Sequence, residues 1–158
     1  IALSSDGTKA YVADGYSGLQ IIDVSDPTVA TILASMEMSF AQGVALSEDD
    51  TKAYVVDYGL GLQILDISNP IAPTILSSID TLRYAMSVTL SEDGTRAYVA
   101  DGYSGLQIID VSDPTSPAIV ASIDTPGFAD SVALSSDGTK AYVADGSFGL
   151  QIIDVSGL

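Results

Sequence analysis

Apolar and polar residues along this chain fall into short runs separated by turn residues, and no stretch holds a helical period of useful length. The runs repeat. The block Gly18 to Ser25, GLQIIDVS, returns unchanged at Gly105 to Ser112 and Gly149 to Ser156, with the variant GLQILDIS at Gly61 to Ser68. The blocks start at 18, 61, 105 and 149, so the steps are 43, 44 and 44 residues. A fixed period of this size marks a solenoid, a propeller or an array.

Each unit predicts four strands. The first is Val44-Ala45-Leu46-Ser47, with counterparts at Ile1, Val88 and Val132. A tight turn follows, Ser-Asp-Gly-Thr at Ser5 and Ser136 and Glu-Asp-Gly-Thr at Glu92. Asp-Gly between apolar runs signals a hairpin, because glycine supplies the positive φ. The second unit instead reads Glu48-Asp49-Asp50-Thr51, so an aspartate must stand where the others have glycine. The second strand is Lys9 to Asp14, repeated from Lys52, Arg96 and Lys140. The third is the GLQIIDVS block, whose two faces are both at least partly apolar. Asp26-Pro27, Asn69-Pro70 and Asp113-Pro114 then stop it, since proline cannot continue the ladder. The fourth is Thr74 to Ile79, matched by Thr31 to Met36 and Ala118 to Ile123.

Four antiparallel strands per ~44 residues without helix predict an all-β propeller, one blade per unit. The expected organisation is a single repeat domain over 1–158, with blades at about 1–43, 44–87, 88–131 and 132–158. Blades covered on both faces by their neighbours explain why the strands are apolar throughout. Strand order follows from a resemblance to WD-type propellers, which implies the first run innermost and the fourth outermost. The fourth blade then lacks its outer strand, and an open edge of that kind invites pairing. The chain opens inside a repeat, so any targeting segment is expected to lie outside it, and a portion of a longer array is the simplest account.

The run Ala-Tyr-Val-Ala-Asp-Gly, then GLQIIDVSDP, then a short strand and Asp124-Thr125-Pro126-Gly127-Phe128-Ala129, resembles the LVIVD repeat. More loosely it is similar to the YVTN repeats of archaeal surface-layer proteins. The resemblance implies a β-propeller from a bacterial or archaeal secreted or cell-surface protein. It brings no catalytic motif that maps onto this chain.

Charge narrows the partners. Asp and Glu number 21 against 5 Lys and Arg, a formal net charge of −16. Nucleic acid and anionic lipid are repelled, while cations and basic proteins are attracted. No apolar run is long enough for membrane insertion. Without histidine or cysteine there is no usual general base, zinc ligand or thiol nucleophile. Two carboxylates in a pocket could still hydrolyse a glycoside. No cofactor is expected. Calcium is the one candidate ion, with Glu48, Asp49 and Asp50 as the densest acidic cluster.

The aromatics fall into three sets. Tyr11, Tyr54, Tyr98 and Tyr142 are strand residues expected between blades. Phe40, Tyr84 and Phe128 precede the inner strands, and Tyr16, Tyr58, Tyr103 and Phe148 sit in the loop after the second strand. Both loop types are expected on one face, beside the series Asp14, Asp57, Asp101 and Asp145. With Asp14, Asp101 and the irregular segment containing Arg83, they form the candidate ligand site; packing at blade junctions and loop-start hydrogen bonds are the alternative roles. The expected function is a non-catalytic scaffold or interaction module, binding copies of itself or other surface proteins. A lectin-like propeller that takes glycans or peptides is the alternative, and a carboxylate hydrolase the second.

Overall fold

The computed structural model describes residues 1–81 and 84–158. Four antiparallel sheets follow one another along the chain. The first holds β1 (Ala2–Leu3), β2 (Lys9–Ala13), β3 (Leu19–Asp23) and β4 (Thr31–Met36), hydrogen-bonded in that order. The second holds β5 (Ala41–Leu46), β6 (Lys52–Asp57), β7 (Gly61–Asp66) and β8 (Thr74–Ile79). The third holds β9 (Ser87–Leu90), β10 (Arg96–Ala100), β11 (Leu106–Asp110) and β12 (Ala118–Ile123). The fourth has three strands among the described residues, β13 (Ser131–Leu134), β14 (Lys140–Ala144) and β15 (Leu150–Asp154). The first strands β5, β9 and β13 pack against one another, which makes them the inner strands of a propeller. One 3-10 turn, Gly146–Phe148, is the helical element among the described residues. β5 begins at Ala41, ahead of the expected blade start, where a bulge at Gln42, between the paired Ala41 and Gly43, lengthens the strand.

Three apolar clusters lie between the sheets, one at each junction. Between the first two, Tyr11, Leu19 and Ile21 meet Val44, Ala53, Val55, Leu65 and Ile67. The second junction sets Tyr54, Val56, Leu62 and Ile64 against Val88, Ala97, Val99, Ile109 and Val111. At the third, Tyr98, Leu106 and Ile108 meet Val132, Ala141, Val143 and Val155. Each blade thus has a trailing face carrying the tyrosine and a leading face of alanine and valine. Alternation along a strand sends successive side chains to opposite faces, so one block serves two junctions.

Every letter of GLQIIDVS has a structural task. Gly18 has φ 71°, and a Cβ there would lie 1.9 Å from the Met36 carbonyl oxygen, so only glycine lets the loop pass the outer strand. Leu19 and Ile21 enter the trailing junction, while Ile22 and Val24 point to the leading face. Gln20 Nε2 donates to the Ser17 carbonyl, and its Oε1 accepts from the Ser35 hydroxyl on β4. Asp23 Oδ1 accepts from Ser25 N–H (2.9 Å) and from Ser25 Oγ (2.6 Å), closing the strand end.

The 1–2 turns carry a second repeated network. Asp6 Oδ1 accepts from Ser4 Oγ, Thr8 N–H and Thr8 Oγ1 at 2.6, 2.9 and 2.8 Å. Asp49, Asp93 and Asp137 do the same in their turns. Hydroxyl and amide donors favour the charged carboxylate and hold all four at a pKa of about 2. Asp50 takes the glycine position with φ 54°. Its Oδ2 reaches back to the first blade, accepting from Ser5 N–H (2.7 Å) and Ser5 Oγ (2.6 Å). Aspartate is one of the few residues besides glycine that enters the left-handed region, and here its side chain also makes a polar bond across the junction. Arg96 pairs with Asp110 at 3.0 Å, both partly exposed, a contact worth under about 1 kcal/mol.

Candidate functional site

The loops after the second strand and the linkers into the next blade meet at one end of the molecule. Gly15 pairs with Ala41 and Gly102 with Ala129 through antiparallel bridges, which fix loop against linker. Their aromatic side chains form one continuous row. Tyr16 meets Phe40 edge to face at 4.6 Å between ring centroids, and Phe40 meets Tyr58 at 6.2 Å. Tyr58 meets Tyr84 at 4.8 Å, Tyr84 meets Tyr103 at 6.1 Å, and Phe128 touches Tyr84 at 6.0 Å and Tyr103 at 4.9 Å. Six of the seven aromatics read from the loops therefore belong to one surface. Phe148, on the 3-10 turn, is exposed and has no ring contact among the described residues.

The row is not made of equivalent positions. Tyr16 and Tyr103 stand two residues after the loop aspartate, Tyr58 stands one after it, and Phe148 three. Tyr16 and Tyr103 are the most accessible, at 84 % and 74 %, while Phe40, Tyr84 and Phe128 are half-buried beneath them. Tyr84 reaches its place with φ 66°, a strained backbone for an aromatic residue. Gly102 makes the closest approach. A Cβ there would lie 2.6 Å from Tyr84 Cβ and 2.9 Å from the Phe128 ring, and φ is 53°. Gly102→Ala is therefore expected to lower stability by more than about 1 kcal/mol and to alter the near-ultraviolet tyrosine dichroism. An unchanged spectrum would mean that the rings are not seated on this loop.

The aspartate series divides. Asp14, in the first blade, is exposed. Asp57, Asp101 and Asp145 are fully buried at the junctions, 0 % exposed. Asp57 Oδ2 accepts from Phe40 N–H (2.7 Å) and Oδ1 from Gly59 and Leu60 N–H. Asp145 accepts from Thr125 Oγ1 (2.7 Å) and Gly127 N–H (3.0 Å). Asp101 accepts from Thr81 Oγ1 at 2.9 Å, but its Oδ2 is buried without a hydrogen-bond partner. Burial pushes its carboxyl up to about 7, against the lowering effect of the Thr81 and Ser104 hydroxyls; the Asp80 charge adds to the rise. Asp101 is expected from the sequence to face ligand; it lies inside the junction, where Thr81 of the linker into its own blade caps it. Arg83 lies outside the described residues.

Glu48, Asp49 and Asp50 stand at the opposite end. Glu48 is exposed, Asp49 is engaged by its own turn, and Asp50 by Ser5. They do not converge, and no group of three acidic residues among the described residues could hold a metal ion. A groove of about 890 Å³ does open at that end between the second and third blades, lined by Glu48, Asp49, Glu92, Asp93 and Lys52.

Residues 3–37, 40–81, 82–125 and 126–158 each match the LVIVD repeat, which together span nearly the whole chain. The chain belongs to the LVIVD repeat family. Its blades also superpose on solved structures. A putative 6-phosphogluconolactonase from Bacteroides uniformis matches with TM-score 0.84 at 18 % identity, over 99 % of this chain and 51 % of that one. Kuenenia stuttgartiensis hydrazine synthase matches with TM-score 0.80 at 20 % identity, over 98 % and 45 %. The β-propeller domain of Cps50 (Swd1) from Myceliophteria thermophila matches with TM-score 0.77 at 13 % identity, over 96 % and 55 %. No curated protein matches the sequence. These LVIVD repeats therefore span about half the length of the solved structures they match. At such identities the likeness establishes the β-propeller fold and leaves activity open.

Proposed function

We propose that this chain is a non-catalytic interaction module of a secreted or surface-displayed microbial protein, and that its aromatic row takes a basic segment of a partner protein. The observation that carries the reading is the unbroken run of six rings, with Tyr16 and Tyr103 standing out of it. Exposed carboxylates at Asp14, Glu37 and Asp124 lie in the same loops, within a chain of net charge −16. Tyrosine faces in a negative field suit arginine and lysine side chains, which stack on aromatic rings and are drawn in by charge. Hydrolysis fits the site less well. Asp101, whose carboxyl is the one raised toward neutrality among the described residues, is 0 % exposed inside the junction.

Labelled chain is to be applied to peptide and glycan arrays. Basic peptides are expected to bind, with at least a tenfold loss in a Tyr16→Ala, Tyr103→Ala double variant. Glycan hits lost in the same variant would favour the lectin-like alternative. Binding that the variant leaves intact would remove the aromatic row from the account.

A further inference from the structure

Exposed large apolar side chains fall into three groups. One belongs to the loops of the aromatic end, and one to the first residues of the chain and the fourth blade. The third lies on the outer rim: Val29, Ile32, Ile71, Ile75, Ile119 and Val120. The second blade has a four-stranded neighbour on each side, so its rim is exposed by the fold itself. There Ile71 is 65 % and Ile75 53 % exposed. β8 is the edge of that sheet, bonded to β7 on one side and to no strand on the other among the described residues. Alternate backbone N–H and C=O groups therefore point outward. Charge or proline within the strand usually guards such an edge. β8 reads Thr-Ile-Leu-Ser-Ser-Ile and has neither; Pro73 stands just before it, and a bulge at Leu76 is its one irregularity. The turn leading into it departs from the other blades in the same direction. Asn69 stands where they have Asp26 and Asp113, and Ile71 where they have Thr28 and Thr115. Between Asp66 and Asp80 the chain carries no charge at all.

We propose that β8 takes an extended segment of a partner protein as an added strand, and that this segment is uncharged where it pairs and carries lysine or arginine at its ends. Main-chain bonds to the open edge supply the affinity, and Ile71 and Ile75 meet apolar side chains of the incoming strand. Charge sets its ends. Asp66 pairs with Thr74 at one end of β8, and the exposed Asp80 follows Ile79 at the other. The exposed Asp113 stands beside the same edge, because Ser77 Oγ donates to the Pro114 carbonyl of the third blade at 2.6 Å. Carboxylates bounding an uncharged strand of six residues, about 20 Å long, complement a segment with basic ends. A second copy of this chain fits worse. Pairing β8 with β8 brings carboxylates against carboxylates, in two chains of charge −16 each. The edge shares no residue with the aromatic row, so this proposal and the binding reading fail independently.

The test is binding of the labelled peptide Lys-Val-Thr-Val-Thr-Val-Lys by fluorescence anisotropy, with amide hydrogen exchange on the bound chain. The expected result is binding that weakens as salt rises, with protection gained in Thr74–Ile79. Ile75→Lys places a guarding charge on the edge at an exposed position, and should weaken binding at least about tenfold with unchanged circular dichroism. Ser136→Lys adds the same charge at an exposed turn of the fourth blade and should leave binding within about twofold. The Tyr16→Ala, Tyr103→Ala double variant should also bind as before. No binding, protection outside β8, or an equal loss in Ser136→Lys would overturn the proposal. Loss in the tyrosine double variant would assign the peptide to the aromatic row and overturn it as well. A doubled mass of the chain alone by light scattering, abolished by Ile75→Lys, would give the edge to a second copy and overturn the partner strand.

Discussion

Ile64→Ala is expected to cost about 3 kcal/mol of stability, and Ile152→Ala less than about 0.5 kcal/mol, although both change the same letter of the same block. Ile64 is wholly buried in the junction between the second and third blades, where truncation removes contact area and leaves a cavity. Ile152 lies on the uncovered trailing face, so its side chain gains little on folding. Urea midpoints of the two variants give the comparison. Equal costs would mean that the blades are held by their own hairpins and not by the junctions.

A pH titration of stability should show two limbs of opposite sign. Asp101 keeps its proton in the folded state up to about pH 7, whereas the unfolded side chain, with its ordinary value of 3.8, has already released it. The folded state then binds more protons between about pH 4 and 7, so stability falls as pH rises through that window and levels off above it. At most the fall is about 4 kcal/mol, from roughly three units at 1.36 kcal/mol each. Asp6, Asp49, Asp93 and Asp137 act the other way. Their folded values near 2 add stability above the unfolded value, and it is lost as pH drops toward 2. The chain should therefore be most stable in mild acid, near pH 4. Asp101→Asn should flatten the limb between pH 4 and 7 and leave the acid limb in place. A variant that retains the upper slope would show that another group carries it.

The blade was written plainly in the sequence, because its cause is local. Period, Asp-Gly turns, Asx-Pro stops and the two apolar faces of GLQIIDVS all act within a few residues. Sequence also brought the loop aromatics to one face, since the two loop types alternate at the ends of an up-and-down sheet. What it concealed depends on distant partners. Asp50 looked like one of three clustered acids, and its actual partner, Ser5, is 45 residues away in another blade. Asp101 reads like Asp57 and Asp145, but its Oδ2 has no partner; Tyr84 N–H, the counterpart of the Phe40 N–H that Asp57 accepts, donates to the Tyr58 carbonyl instead. Near-identical motifs differ here through their neighbours, and a single unit contains no record of them. The bulge that shifts each outer strand by one residue was hidden for a related reason: β4, β8 and β12 carry no glycine or charge to mark it.

The buried aspartates also bear on how such arrays grow and shrink. The family's repeat boundaries fall at residues 40, 82 and 126, in the linkers and not at the sheet edges. A segment cut there carries Phe40 together with Asp57, and Gly127 together with Asp145, so these two buried carboxylates keep an amide donor, while Asp101 is parted from Thr81 and Asp145 from Thr125. Duplication or loss of a whole segment changes the number of blades and keeps the amide donors of Asp57 and Asp145 with their carboxylates. A cut a few residues later, at the first residue of the sheet, would separate Asp145 from Gly127 and leave its Oδ2 without that donor. A segment cut in the linker is thus expected to fold better than one cut at the first residue of the sheet, which thermal melts of the two would compare.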